Sequence, residues 1–293
     1  MRYLPIVIIV AALVVAAILI RRRQQRTSLP DYHIHLCIPF GVSPSVDGEV
    51  VMQRFKQRWK ADVACGEVEG LGAQQEGGKT YLMGNGTHNL RVTVSQVPLR
   101  SDLANITIAA APDIADSDKL AMRNHKGYIS VDYLFGPQDD AVARVRFAAQ
   151  ALLSLAELDG ALGYVNVSAM LYRPRSHVET FFTQSRLEST DLFMLFTHTH
   201  SVEDNGGIWM HTHGLDQFNV PDLQTRFRDS KQHEYYWELI SDASIYTIEN
   251  GPVLKPGDTA ELKGDGVIYE IVSAKIDPDH PFGSFGCLEI VRK

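Results

Sequence analysis

The sequence predicts an α+β protein: an N-terminal transmembrane helix followed by a mixed, largely antiparallel sheet domain with helices and a small β-rich tail. Three observations lead there. Tyr3 to Ile20 is an unbroken uncharged run. Short alternating segments separated by glycine turns recur along the rest of the chain. Helical periodicities fall between them irregularly, which favours α+β over a regular βαβ succession.

The apolar run comes first. Eighteen helical residues span roughly 27 Å, close to the hydrocarbon thickness of a bilayer. Pro5 sits in the first turn, where a missing N–H does little harm. The run is apolar on every side, unlike a core helix with one wet face. The basic cluster Arg21, Arg22, Arg23 and Arg26 follows it instead of preceding it, which disfavours a cleaved leader. Residues 1–30 are therefore expected to be an anchor and basic linker, with membrane contact through residues 3–20. By the positive-inside rule the remainder faces the cytoplasm, as a single-pass protein of the inner or cell membrane.

Residues 1–30 hold five arginines and no acid, while the whole chain carries a formal net charge of -7. The rest is thus strongly acidic. Such a surface repels phosphate backbones, and no nucleic-acid partner is expected. The three cysteines, Cys37, Cys65 and Cys287, are far apart and lack a CxxC spacing. They read as inert thiols in a reducing compartment.

Two further segments are expected, an α+β domain over 31–230 and a helix-plus-strands tail over 231–293. His33 to Phe40 alternates like a half-buried strand, and residues 48–60 have helical spacing. Residues 80–97 read as two strands about Asn85-Gly86, and Asn105 to Ala109 as a further strand. Asp116 to Asn124 reads as a short helix and Gly127 to Phe135 as a strand. A long helix capped by Asp139 runs to about Leu158, with Gly160 beyond its end. Gly163 to Ser168 returns as a strand. Ser176 and Glu179 have capping-box spacing before a helix to about Leu187. Leu192 to His200 and Ile208 to His213 read as strands, and Tyr235 to Ala243 as a helix. The tail beyond Val253 reads as short strands.

The stretch FTHTHSVEDNGGIWMHTHG, residues 196–214, carries the clearest chemistry. Two HxH pairs flank Asn205-Gly206, the preferred centre of a two-residue hairpin turn. Residues two apart in a strand share a face. The turn sets His198 opposite His213 and His200 opposite His211, so the four imidazoles crowd one face. Such a set could hold a transition metal such as zinc. The alternative is a histidine-rich strand pair hydrogen-bonded within the protein. Glu203, Asp216 and Asp222 are the nearby carboxylates available for acid–base work, although Glu203 and Asp204 point away. Trp209 is expected on the opposite side from His211, in the core. Tyr235, Tyr236 and Trp237 read as a helix packing its aromatic face, with a binding ridge as the other reading. No GxSxG, phosphate-loop or dinucleotide glycine pattern is present, so catalytic residues stay unassigned.

Two blocks resemble a family of uncharacterised bacterial proteins. HKGYISVDYLFGP, FAAQALLSLAELDGALGYV and HVETFF fall between Leu120 and Phe182. WMHTHGLDQFNVPDL runs from Trp209 to Leu223. Both are similar to the DUF4261 group and its DUF4026-like relatives, with Asn219 where glycine is usual and Asp222 where glutamate is usual. The resemblance covers roughly residues 31–228. The second block also resembles suppressor-of-fused-like domains, which implies protein–protein binding and toxin immunity. The resulting expectation is a membrane-anchored protein-binding module, with an immunity-like role as one form of it, and an unidentified protein partner. The alternative is a metal-dependent, hydrolase-like enzyme built on the histidine hairpin.

Overall fold

The structure is a computed structural model that describes residues 34–68, 78–111, 113–137, 140–204, 206–274 and 285–293. These residues belong to one compact unit, which begins at His33. Two sheets organise it. The first holds seven antiparallel strands in the order β2-β3-β4-β5-β1-β6-β7. They are β1 (His35–Phe40), β2 (Ala64–Glu67), β3 (Lys79–Gly84), β4 (Asn89–Ser95), β5 (Gly127–Phe135), β6 (Gly163–Asn166) and β7 (Leu171–Pro174). The second holds β8 (His198–Asp204), β9 (Gly207–His213), β10 (Asp222–Phe227), β11 (Thr259–Glu261), β12 (Ile268–Ser273) and β13 (Cys287–Arg292). Its order is β11-β12-β13-β10-β9-β8. Only the β10–β13 pairing is parallel within it.

Seven helices cover these sheets among the described residues: α1 (Gly48–Trp59), α2 (Ser101–Ala109), α3 (Asp116–Arg123), α4 (Ala141–Ala156), α5 (Arg175–Val178), α6 (Ser189–Phe196) and α7 (His233–Asn250). Period-two alternation sends Leu36, Ile38 and Phe40 of β1 towards α1 and α4, where they meet Val51, Phe55 and Val145 in one core. Trp59 fastens the two helices: its Nε1 donates to Gln150 O and Ser154 Oγ, both at 3.0 Å. The opposite side of the first sheet forms a smaller core, in which Cys37, Val165 and Tyr172 lie under Leu99, Ala104, Ile108 and Met122. On the second sheet, α7 lies over β9 and β10. Tyr236 stacks on Phe227 at 4.3 Å between centroids. The larger core continues through Met210, Leu223 and Ile290, so both sheets share it.

The expected fold class needs correction. Among the described residues no helix is long and apolar enough to cross a membrane. The run Tyr3–Ile20 on which that expectation rested lies outside them. The tail is not a separate β-rich piece either. Its β13 pairs with β10, and β12 with β13, so it completes the sheet that carries the histidines.

Several local readings change too. Asn105–Ala109 lies in α2, and Leu192–Phe196 in α6. Both apolar runs contain residues that suit strands, yet each turns one side to a core. A capping box does form, at Glu188 and Asp191 before α6. The residues after Pro174 make only a four-residue helix and a 3-10 turn. Asp140 caps α4, its side chain accepting from Ala143 N at 2.8 Å.

Gly214 ends β9 with φ 107°. A Cβ there would lie 2.4 Å from Phe196 O and 2.8 Å from Ala169 Cβ. The left-handed backbone and this close approach both demand glycine. Gly214→Ala is expected to lose more than about 2 kcal/mol of stability. Urea unfolding measures this, and a midpoint equal to that of the parent chain would contradict it.

Candidate functional site

The hairpin forms in the expected register. His198 pairs with His213, Thr199 with Thr212, and His200 with His211, out to Asp204 opposite Gly207. Asn205 lies outside the described residues, and Gly206 has φ 76°. The histidine rings touch in sequence. Centroids are 5.5 Å apart for His198–His200, 5.6 Å for His200–His211 and 4.7 Å for His211–His213.

Trp209 joins this row. Its ring stacks on His211 at 4.1 Å. The expectation that it faces away is therefore wrong, and period two itself gives the reason: 209 and 211 are two apart on one strand. It is buried as expected, but on the histidine face. The polar face continues across the sheet. Trp209 Nε1 donates to Gln224 Oε1 at 3.1 Å, and Gln224 Nε2 donates to Glu289 Oε2 at 3.1 Å. The Arg226 guanidinium lies 5.3 Å from the Trp209 ring centroid.

His211 and His213 are buried, while His198 and His200 are half-buried. The Nε2 atoms of His211 and His213 stand 3.0 Å apart, one donating to the other. A shared proton of this kind occupies a lone pair that a metal would need. Among the described residues no group of three or more His, Cys, Asp and Glu is placed to hold a metal ion. The rings form a row and do not converge on a point. The nominated carboxylates are also placed elsewhere. Glu203 is exposed. Asp222 accepts from Thr212 Oγ1 at 3.0 Å and Leu215 N at 3.2 Å, bracing the turn after β9. Asp216 is pushed up by burial, against its backbone hydrogen bonds and the nearby Arg144 charge.

Burial, followed by the neighbouring His200, Arg173 and His213, pushes the His198 imidazole down to about 3. It is neutral at ordinary pH, a hydrogen-bonding group and not a cation.

A second constellation went unread in the sequence. His35 Nδ1 bonds Asp132 Oδ1 across the β1–β5 pair. Cys37 Sγ lies 3.5 Å from His35 Nε2. Arg91 Nε and Ser130 Oγ both reach Asp132 Oδ2, at 3.1 and 3.4 Å. Thiol, imidazole and carboxylate stand in the order of a nucleophilic triad. Yet Cys37 is 0% exposed beneath α2 and α3. Burial, then the Asp132 charge, raises the thiol far above its ordinary value. A thiol so placed stays protonated and out of reach, so the cluster is structural. Cys287 is buried and likewise raised, and Cys65 is raised to about 11. Only the HxC pair of β1 hinted at this cluster, and its acid lies 97 residues from His35.

A groove opens away from the histidines. It measures about 700 Å³ and lies between α7 and the chain from Val253 to Leu262. Asp242 and Tyr246 bound it on the helix; Asp258, Glu261 and the β11 backbone bound it opposite.

Fold and site together define a two-sheet α+β protein with a row of four imidazoles, two of them buried, on one sheet. Residues 211–279 match the family described as Domain of unknown function (DUF4261). The chain thus carries a DUF4261 segment, and that resemblance stands. The match includes most of the block from Trp209 to Leu223 and continues through the tail to 279, beyond the expected extent of 31–228. Residues 120–182 lie outside it. Neither the curated proteins nor the solved structures offer a match.

The neutral His198 sets a pH dependence. In the unfolded chain it titrates near 6.5, in the folded chain near 3. Between those values the unfolded state binds more protons, so stability rises with pH and falls as pH drops below about 6.5. One such proton contributes about 1.4 kcal/mol per pH unit within that window. Urea unfolding at pH 5 and pH 7 measures it. His198→Gln should flatten the difference, and an unchanged slope in that variant would contradict the assignment.

Proposed function

We propose that this protein is a protein-binding module that receives an extended basic segment of a partner in the groove between α7 and β11. One observation carries the reading: the groove combines exposed apolar surface with an acidic rim beside an open strand edge. Tyr246 is 48% and Val253 39% exposed, far more than core positions tolerate. Asp242, Asp258 and Glu261 are all exposed around them. β11 is the end strand of its sheet, and its outer backbone is unpaired among the described residues. An extended peptide can add to such an edge while its side chains reach the rim.

Two further facts support it. The groove residues, 242–262, all fall within the DUF4261 segment, so the part that places the chain in a family also builds the groove. The net charge of -7 favours cationic partners and speeds their encounter. Asp258 also holds its own turn, accepting from Lys255 N at 2.9 Å. Asp242 and Tyr246 are the cleaner positions to change.

Selection of random displayed peptides on the immobilised chain tests the reading. Recovered peptides should be rich in Lys and Arg with interspersed aliphatic residues. Asp242→Lys and Tyr246→Ala should each weaken the best of them at least tenfold, and added salt should weaken binding to the parent chain. Recovery of acidic or unbiased sequences, or binding indifferent to both substitutions, would reject it.

A further inference from the structure

The end strands of the two sheets, β7 and β8, border a common cavity of about 210 Å³. Its wall includes Arg173 from β7, Thr197 at the end of α6, and His198 and Thr199 from β8, with Trp237 of α7 also bordering it. The volume suits a ligand of a few heavy atoms and is below the range of drug-sized pockets, roughly 300–1,000 Å³.

Two residues that line this cavity each hold a buried polar atom without a partner among the described residues. Thr197 is 2% exposed, and its Oγ1 has no hydrogen-bond partner among the described residues. The same holds for the buried Nε of Arg173. A buried donor left unmade costs about 1–3 kcal/mol, and native proteins rarely place two in one wall without use. A guanidinium matches the geometry of an oxyanion, and hydroxyls can complete its shell. Asp113 also borders the cavity, but it is exposed, so water screens its charge.

We propose that this cavity binds one small oxyanion, a carboxylate or phosphate, with Arg173 as the charged anchor and Thr197, Thr199 and His198 as hydrogen-bonding partners. The neutral ring of His198 fits that role, since it can donate through one nitrogen without adding charge. Arg173 is also the charge that weighs on both His198 and His177. An anion beside it relieves both. The site is independent of the peptide groove, and either can fail without the other.

The test is calorimetric titration of the full chain at low ionic strength with inorganic phosphate and, separately, with acetate. One saturable site is expected for at least one of them, and which one it is names the chemistry. Arg173→Gln should weaken that binding at least tenfold. Thr197→Val, which keeps the side-chain shape, should weaken it several-fold while leaving the thermal midpoint of the free protein unchanged or raised, because it removes an unpaired buried hydroxyl. Trp237 fluorescence should follow the same isotherm. Absence of saturable binding for both anions, or equal affinity in the parent chain and Thr197→Val, overturns the proposal.

Discussion

The structure turns on one buried cation. Arg144 projects from the middle of the first sheet's long helix and is 1% exposed. Its Nη2 donates to Gln217 O at 2.7 Å and to Asn219 Oδ1 at 2.8 Å, in the turn that joins β9 to β10. The Tyr133 ring lies 5.9 Å from the guanidinium carbon. A charge that deep is tolerable only when hydrogen bonds hold it, and Nη2 makes two of them. Helix α4 is therefore bound to the second sheet at a fixed point, and the shared hydrophobic core follows from that attachment. Asn219 has φ 61°, a left-handed conformation in which glycine is the easy residue. Asparagine tolerates that backbone and supplies the acceptor glycine lacks. This gives a physical reason for Asn219 where the resembling block usually has glycine.

From that turn the polar organisation spreads outwards. Gln217 Nε2 donates to Phe196 O at 3.2 Å, and Asn166 Nδ2 donates to Gln217 Oε1 at 3.2 Å. These bonds join the end of α6, the strand β6 and the turn after β9, and so set where His198 begins its strand. The histidine row then lies between this polar network and the Trp209–Gln224–Glu289 ladder. Its His211 and His213 rings share a hydrogen bond, ring contacts link the others, and burial keeps His198 neutral. This arrangement orders a sheet edge. The cavity between the end strands of the two sheets borders this row, and the groove under α7 lies away from it.

Much of this was legible where a local rule has one solution. The Asn205-Gly206 turn and strict alternation suffice to set the His198–His213 and His200–His211 pairs. The long helix ending before Gly160 and the strands flanking Gly86 follow from equally local signals. Other features depend on distant partners. Leu192 to Phe196 is apolar enough for either state, and packing beneath α7 decides for helix. β7 and β10 are short and lack a clear alternation, and neighbouring strands select them. Nothing near Arg144 in sequence reveals the carbonyl and amide 73 and 75 residues away. The same long separation hid the His35–Asp132 pair. Trp209 is different: strand alternation alone puts it on the His211 face, with no distant partner needed.

The central claim is that the two sheets form one cooperative unit fastened at Arg144. Segment-resolved hydrogen exchange of Arg144→Met tests it most directly. Removing the cation leaves Gln217 O and Asn219 Oδ1 without their buried donor, a loss on the order of 3 kcal/mol. Amides of β1 and β5 are expected to lose protection together with those of β9 and β10, by the same free energy. Loss of protection confined to β9 and β10, with β1 and β5 as protected as in the parent chain, would contradict it.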